Sequence, residues 1–198
     1  MMISLLLLLL AGEKRNNMLG NMFGGLLSLL PNNKAQAVDD IRSEGLIAVS
    51  PKKVDQVFNL LNSNYDLNEG AIAAIMGNIS AETGDSFDFT QQQKNGPGYG
   101  LFQFEGIHQK EYDKFLEENK INDSAKSQID YVMENIYGNK QDIVGQGNAK
   151  LLREAFARGD VDLATRIFMT KFERPKDQSE KKILDRIKRA KSFITDAD

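Results

Sequence analysis

From residue 51 onward, apolar positions recur with the 3.6-residue period of helices packed on a core. Ser50 and Pro51 form an N-cap and first-turn pair, followed by a stripe of Val54, Val57, Phe58 and Leu61. Asn68 caps a second helix, with Ile72, Ile75, Met76 and Ile79 along one face. After Gly84 the period breaks. Phe87 and Phe89 alternate with polar neighbours, Asn95-Gly96-Pro97-Gly98 is dense in turn residues, and Tyr99 to Phe104 reads as a short strand. A small β-hairpin lobe is therefore expected there. Helical periods then resume, first with Tyr112, Phe115 and Leu116, then with Ala125, Ile129, Val132, Met133 and Ile136 behind a Ser124 cap. Leu151, Leu152, Ala155 and Phe156 mark another helix. Asp160 caps the next, with Leu163, Ala164, Ile167 and Phe168, and a last one carries Ile183, Ile187 and Ile194. The pattern predicts an α+β fold, a helical body with one β excursion inserted early.

The first part of the chain differs. Ile3 and the run Leu5 to Leu10 are apolar, Glu13-Lys14-Arg15 interrupts, and a glycine-rich apolar stretch follows from Met18 to Leu30. Neither piece has the roughly 18 apolar residues expected of a membrane-spanning helix. No basic residue precedes the leucine run, as a secretory signal would require, although Ala35-Gln36-Ala37 has the form of a cleavage site. Residues 1–37 are expected to attach the protein to an assembly by burying this surface, with membrane anchorage second and a cleaved signal third. Residues 38–50 read as a linker and 51–195 as the folded domain.

Composition narrows the chemistry. The 198 residues include no cysteine and one histidine, His108, so thiol chemistry and a histidine-rich metal centre are excluded. Carboxylates, amides, hydroxyls and tyrosines remain. A net charge of −3 argues against a dedicated nucleic-acid binder. Residues 171–191 nevertheless hold nine Lys/Arg against four Asp/Glu, which reads as a solvated amphipathic helix or as a face for an anionic polymer.

Glu82 lies three residues after Ile79 and seven after Ile75, so it continues the apolar stripe of its own helix. It also falls in the last turn before Gly84, a natural helix terminator. Desolvation and the negative end of the helix dipole both favour a protonated carboxyl there, as a glycosidic general acid requires. Spacing alone leaves open a glutamate that faces solvent at a frayed end. The segment Met76-Gly77-Asn78-Ile79-Ser80-Ala81-Glu82-Thr83-Gly84, with Gly98-Tyr99-Gly100-Leu101-Phe102-Gln103-Phe104 after it, resembles the phage tail lysozyme family. There the pattern is G-N-x-x-x-E-(S/T)-G, then G-Y-G-L-x-Q-(W/F). Phe168-Met169-Thr170-Lys171-Phe172-Glu173-Arg174-Pro175 resembles the F-x-x-x-F-E-R-P ending of the family's late helix, so the likeness covers roughly residues 53–176.

The resemblance implies a lysozyme-like fold that cleaves the β-1,4 bond between N-acetylmuramic acid and N-acetylglucosamine. Glu82 matches the catalytic acid and Gln103 the strand glutamine of the saccharide cleft. Tyr99 stands where an aromatic or hydroxyl group meets a sugar. Phe104 replaces the commoner tryptophan, keeping a stacking surface without the indole N–H. A second carboxylate, as nucleophile or base, would come from Asp85, Asp88 or Glu105, with Asp88 the first choice. Single-glutamate members of the superfamily manage without one. His108 reads as a rim or core residue, Glu173-Arg174 as a structural salt bridge, and Gly145 to Gly147 as an interhelical loop rather than a phosphate loop. No metal or organic cofactor is called for. The expected partners are peptidoglycan strands and, through the apolar N-terminus, other virion or tail proteins. A lytic transglycosylase, an endolysin with the same site, and an inactive structural virion protein are the alternatives.

Overall fold

The computed structural model describes residues 51–139 and 143–194; the apolar segment, the linker and the Ser50 cap lie outside the described residues. The helices are α1 (Pro51–Asn64), α2 (Glu69–Thr83), α3 (Gly106–Asn119), α4 (Ala125–Tyr137) and α5 (Gln146–Arg158). They are followed by α6 (Val161–Ile167), which runs into a π-helical turn Phe168–Glu173, and by α7 (Glu180–Lys191). None of them is long and apolar enough to cross a membrane.

Helix α2 is the axis of the fold. Every residue from Gly70 to Ser80 is buried, as expected for a helix apolar on all faces. Its start is held by Asn68, whose Oδ1 accepts the Ala71 N–H at 2.9 Å while its Nδ2 donates to the Phe156 carbonyl at 2.6 Å. Its end is closed by Gly84 in the left-handed conformation, donating to the Ser80 carbonyl. Gly77 lets α7 pack against it, since a Cβ there would lie 2.6 Å from the Ala190 backbone nitrogen. That contact decides what α7 brings to the site.

The remaining core is aliphatic from α1 and α4 and aromatic from the late helices. Phe168 and Phe172 stack with ring centroids 5.0 Å apart, and Phe102 meets both at 6.2 Å. Side chains such as Ile75, Met76, Ile79 and Ile129 are fully buried, each contributing roughly 1.5–3 kcal/mol. The Ser124 and Asp160 caps form as expected, accepting the Ser127 and Leu163 N–H groups at 3.0 and 3.1 Å. Leu151 departs from its expected stripe and is 43% exposed, because the buried face of α5 is formed by Ala149, Leu152, Ala155 and Phe156. Ile194 falls beyond α7, and Gly147 lies inside α5 while Gly145 precedes it.

The lobe between Gly84 and Glu105 differs from the expected hairpin. It contains two isolated antiparallel bridges, Gln92 with Tyr99 and Tyr99 with Phe104, and no strand forms among the described residues. The backbone reverses too often for a ladder, with positive φ at Phe87, Gly100 and Gln103. A strut from α4 replaces the missing ladder bonds. Gln128, fully buried, accepts the Leu101 N–H at 2.9 Å and donates to the Phe89 carbonyl at 2.9 Å. Gly100 is required beside it, because its φ of 77° and the Gln128 side chain leave no room for a Cβ.

Candidate active site

A cleft of about 320 Å³ opens between the end of α2, the lobe, and the turn that follows the π-helical segment. Glu82, Gln103, Phe104, Glu105, His108 and Glu173 are among its lining residues. Glu82 reaches it because the apolar register of α2 carries through to its last turn. Its side chain is 18% exposed and forms an ion pair with Arg186 of α7. Arg186 is itself buried, and its second nitrogen donates to Asn78 Oδ1 at 2.9 Å. Gly77, Asn78 and Glu82 thus act together: the glycine admits α7, the asparagine orients the guanidinium, and the glutamate, one turn on, receives it. Arg189, one turn further along α7, pairs with Asp85 and donates to the Ser80 hydroxyl at 3.0 Å. The basic helix is therefore only partly a solvated face; two of its arginines point into the end of α2.

Glu173 was not expected here. Instead of a salt bridge with Arg174, it lines the cleft beside Glu82 and Arg186. The residue is half-buried, but its Oε1 is sealed from solvent without a hydrogen-bond partner. Burial, reinforced by the negative charge of Glu82 and opposed by Arg186, holds its carboxyl well above the usual carboxylate range. Arg174 turns away because its own backbone is left-handed, with φ 48°. Its guanidinium donates to the Ile143 carbonyl at 3.0 Å and lies 3.4 Å from His108 Nε2. His108 is part of the cleft wall, stacked on Phe104, and burial together with Arg174 pushes it down to about 4. It is neutral at neutral pH.

The other sequence-derived candidates separate. Gln103 lines the cleft with Glu82, held at φ 47° while its Nε2 donates to the Gly100 carbonyl at 2.7 Å. A non-glycine residue in that conformation is strained, and such strain gathers at functional sites. Phe104 also borders the cleft, yet it is only 2% exposed and packs among Phe102, Tyr112 and Tyr131, so it offers little face for a sugar to stack on. Tyr99 is not in the lining. Its hydroxyl donates to Asp123, and burial with that carboxylate pushes the phenol up to about 12. Asp88 is also elsewhere, accepting from Lys53 Nζ at 2.7 Å and capping Thr90, which pulls it down to about 2. Of the acids considered for a second carboxylate, Glu105 alone lines the cleft. No cluster of acidic or histidine side chains among the described residues is arranged to hold a metal ion.

A glutamate at the end of a buried helix and a glutamine from an irregular lobe thus line one cleft that also holds Glu105 and Glu173. The chain belongs to the phage tail lysozyme family, whose model matches residues 52–196. No curated protein and no solved structure gives a match. Membership implies a lysozyme-like protein that acts on peptidoglycan and is associated with phage.

Proposed function

We propose that the chain is a muramidase that hydrolyses the β-1,4 bond between N-acetylmuramic acid and N-acetylglucosamine, with Glu82 protonating the bridging oxygen. The observation that carries this reading is the position of Glu82: low exposure, at a helix end, on a cleft wall shared with Gln103. Gln103 supplies amide hydrogen bonds to the glycan. Glu105, on the same cleft, stabilises the positive charge that develops on the sugar ring as the bond breaks. Phe104 supports the cleft from beneath. Tyr99 and Asp88 are assigned to the framework of the lobe. The test is a zymogram on purified peptidoglycan, with mass spectrometry of the released fragments. Reducing muropeptides that disappear in Glu82→Gln support a muramidase, whereas anhydro-muropeptides make the enzyme a lytic transglycosylase. Undiminished lysis by a folded Glu82→Gln variant removes Glu82 from the chemistry.

The setting proposed is a virion, where the enzyme opens the cell wall during infection and residues 1–37 dock it to tail or internal proteins. The apolar runs Leu5 to Leu10 and Met18 to Leu30 support this, since they are too short to span a bilayer singly and too apolar to remain in water. Deleting residues 2–30 is expected to abolish particle incorporation while residues 38–198 still lyse cell walls. Mature particles in which the chain begins at Val38 would replace docking by signal cleavage.

A further inference from the structure

At the end of α2 two carboxyl groups, Glu82 and Glu173, lie beside one guanidinium, Arg186, which cannot neutralise both if both ionise. Glu82 is ion-paired to Arg186, and the second nitrogen of Arg186 is committed to Asn78. Glu173 enters the same cleft from the end of the π-helical turn, with Oε1 sealed and unpartnered. An ionised carboxylate in that position would lack both a donor and a counter-ion of its own. The surrounding charges do not supply one. His108 of α3 is neutral, Arg174 is directed at the Ile143 carbonyl, and Arg189 of α7 is taken by Asp85, just after α2. Lys176, on the turn after the π-helical segment, is exposed and forms no ion pair with Glu173, and Glu105 adds a further carboxyl from the lobe.

We propose that Glu173 is the proton-holding partner of Glu82: the two carboxyl groups share one proton against the single charge of Arg186, and Glu173 acts through Glu82 as a positioning residue. This rests on the reading of Glu82 as general acid. At rest the proton resides on Glu173 and Glu82 is the anion held by Arg186. When the glycan fills the cleft and excludes water, the proton moves to Glu82 and from there to the bridging oxygen as the bond between that oxygen and the anomeric carbon breaks. Water then adds to the anomeric carbon, and the proton it loses returns to the dyad, which as a dianion beside one guanidinium is a strong acceptor. One proton leaves and one returns, so the site is regenerated. An ion-paired glutamate can in this way deliver a proton at neutral pH.

The experiment compares wild type, Glu173→Gln, Glu173→Asp and Glu82→Gln by the pH dependence of kcat/KM on soluble glycan fragments. Carboxyl 13C NMR titration of glutamate-labelled protein is recorded alongside. Loss of the last proton from a shared pair occurs at higher pH than from either acid alone. Glu173→Gln should therefore move the alkaline limb of the profile down by about one pH unit or more, and Glu173→Asp should restore part of it. At neutral pH, Glu173→Gln should reduce kcat by about tenfold or more, within the range of general acid catalysis. The NMR titration should show a high carboxyl step in wild type that is lost in Glu173→Gln and moved down in Glu82→Gln. An unmoved alkaline limb in folded Glu173→Gln overturns the proposal, even if Glu82→Gln is inactive and the general-acid reading stands. If Glu173→Gln does not fold, the wild-type titration decides, and the absence of any carboxyl step above the usual range overturns it. Full activity of Glu82→Gln defeats the general-acid reading, and the dyad's proton then has no route to the glycan.

Discussion

Two polar clusters lie on either side of the lobe, and they are built differently. Around Asp123 the partners are complete. Tyr99 and Tyr112 donate their hydroxyls to it, Gln128 donates its amide at 3.0 Å, and Ser127 closes the set on Tyr112 at 2.9 Å. Around Glu82 the partners run short, with one guanidinium for two carboxyls, an orphaned Glu173 Oε1 and an orphaned His108 Nδ1. A fully satisfied network stabilises a particular backbone path, and here it holds an irregular lobe that lacks strands. An under-satisfied one retains capacity for a substrate to complete. The two clusters therefore differ in how completely their polar groups are partnered, not in whether polar groups are buried.

The largest expected effect falls on the under-satisfied cluster. Glu82→Gln should lower wall lysis by at least about a hundredfold with circular dichroism unchanged. Equal loss of helical signal would turn the result into one about folding. Next is Arg186→Met. Removing the guanidinium leaves Glu82 and Asn78 without their shared partner, and urea unfolding should show a loss of about 3–5 kcal/mol at neutral pH. A loss below 1 kcal/mol would mean that the pair contributes little to the α2–α7 contact.

On the satisfied side the readouts should separate. Gln128→Ala strands the Leu101 N–H and the Phe89 carbonyl and should cost about 1–3 kcal/mol of stability, while lysis per folded molecule stays within a few-fold of wild type. A Gln128→Ala variant as inactive as Glu82→Gln would erase the distinction between the clusters. The smallest effect belongs to Asp88→Asn, whose ion pair with Lys53 is largely exposed and should be worth at most about 1 kcal/mol. Asp88 is held below its ordinary value of 3.8, at about 2. Its contribution is therefore present above pH 3.8 and is lost as the pH falls to about 2. The difference in melting temperature between wild type and Asp88→Asn should be constant from pH 5 to 7 and vanish near pH 2. A tenfold loss of lysis in Asp88→Asn would return that residue to the chemistry.

Local signals determined α2 and the acid at its end. The Asn68 cap, the stripe Ile72, Ile75, Met76 and Ile79, and Gly84 act within one helix, where neighbours in sequence are neighbours in space. The same locality made the Ser124 and Asp160 caps legible. The lobe was half-legible. Alternating aromatics and turn residues signalled a departure from helix, but alternation tells which side a residue faces only when a strand is regular. This one is bent at Gly100 and Gln103, which is why Phe104 lies in the core and Tyr99 is turned to Asp123.

Tertiary structure alone decided the charge around Glu82. Arg186 shares the face of Ile183, Ile187 and Ala190, so its inward register follows from helical spacing, but nothing in the run says which carboxylate it meets. The choice is made by the close approach of Gly77 and Ala190, which sets how α7 lies on α2. Glu173 sits in a motif whose sequence suggests a pair with the next residue. A π-helical turn and a left-handed Arg174 send the two side chains apart. Sequence spacing encodes which residues share a face of one element. It does not encode the angle at which two elements meet, and the electrostatics of this cleft depend on that angle.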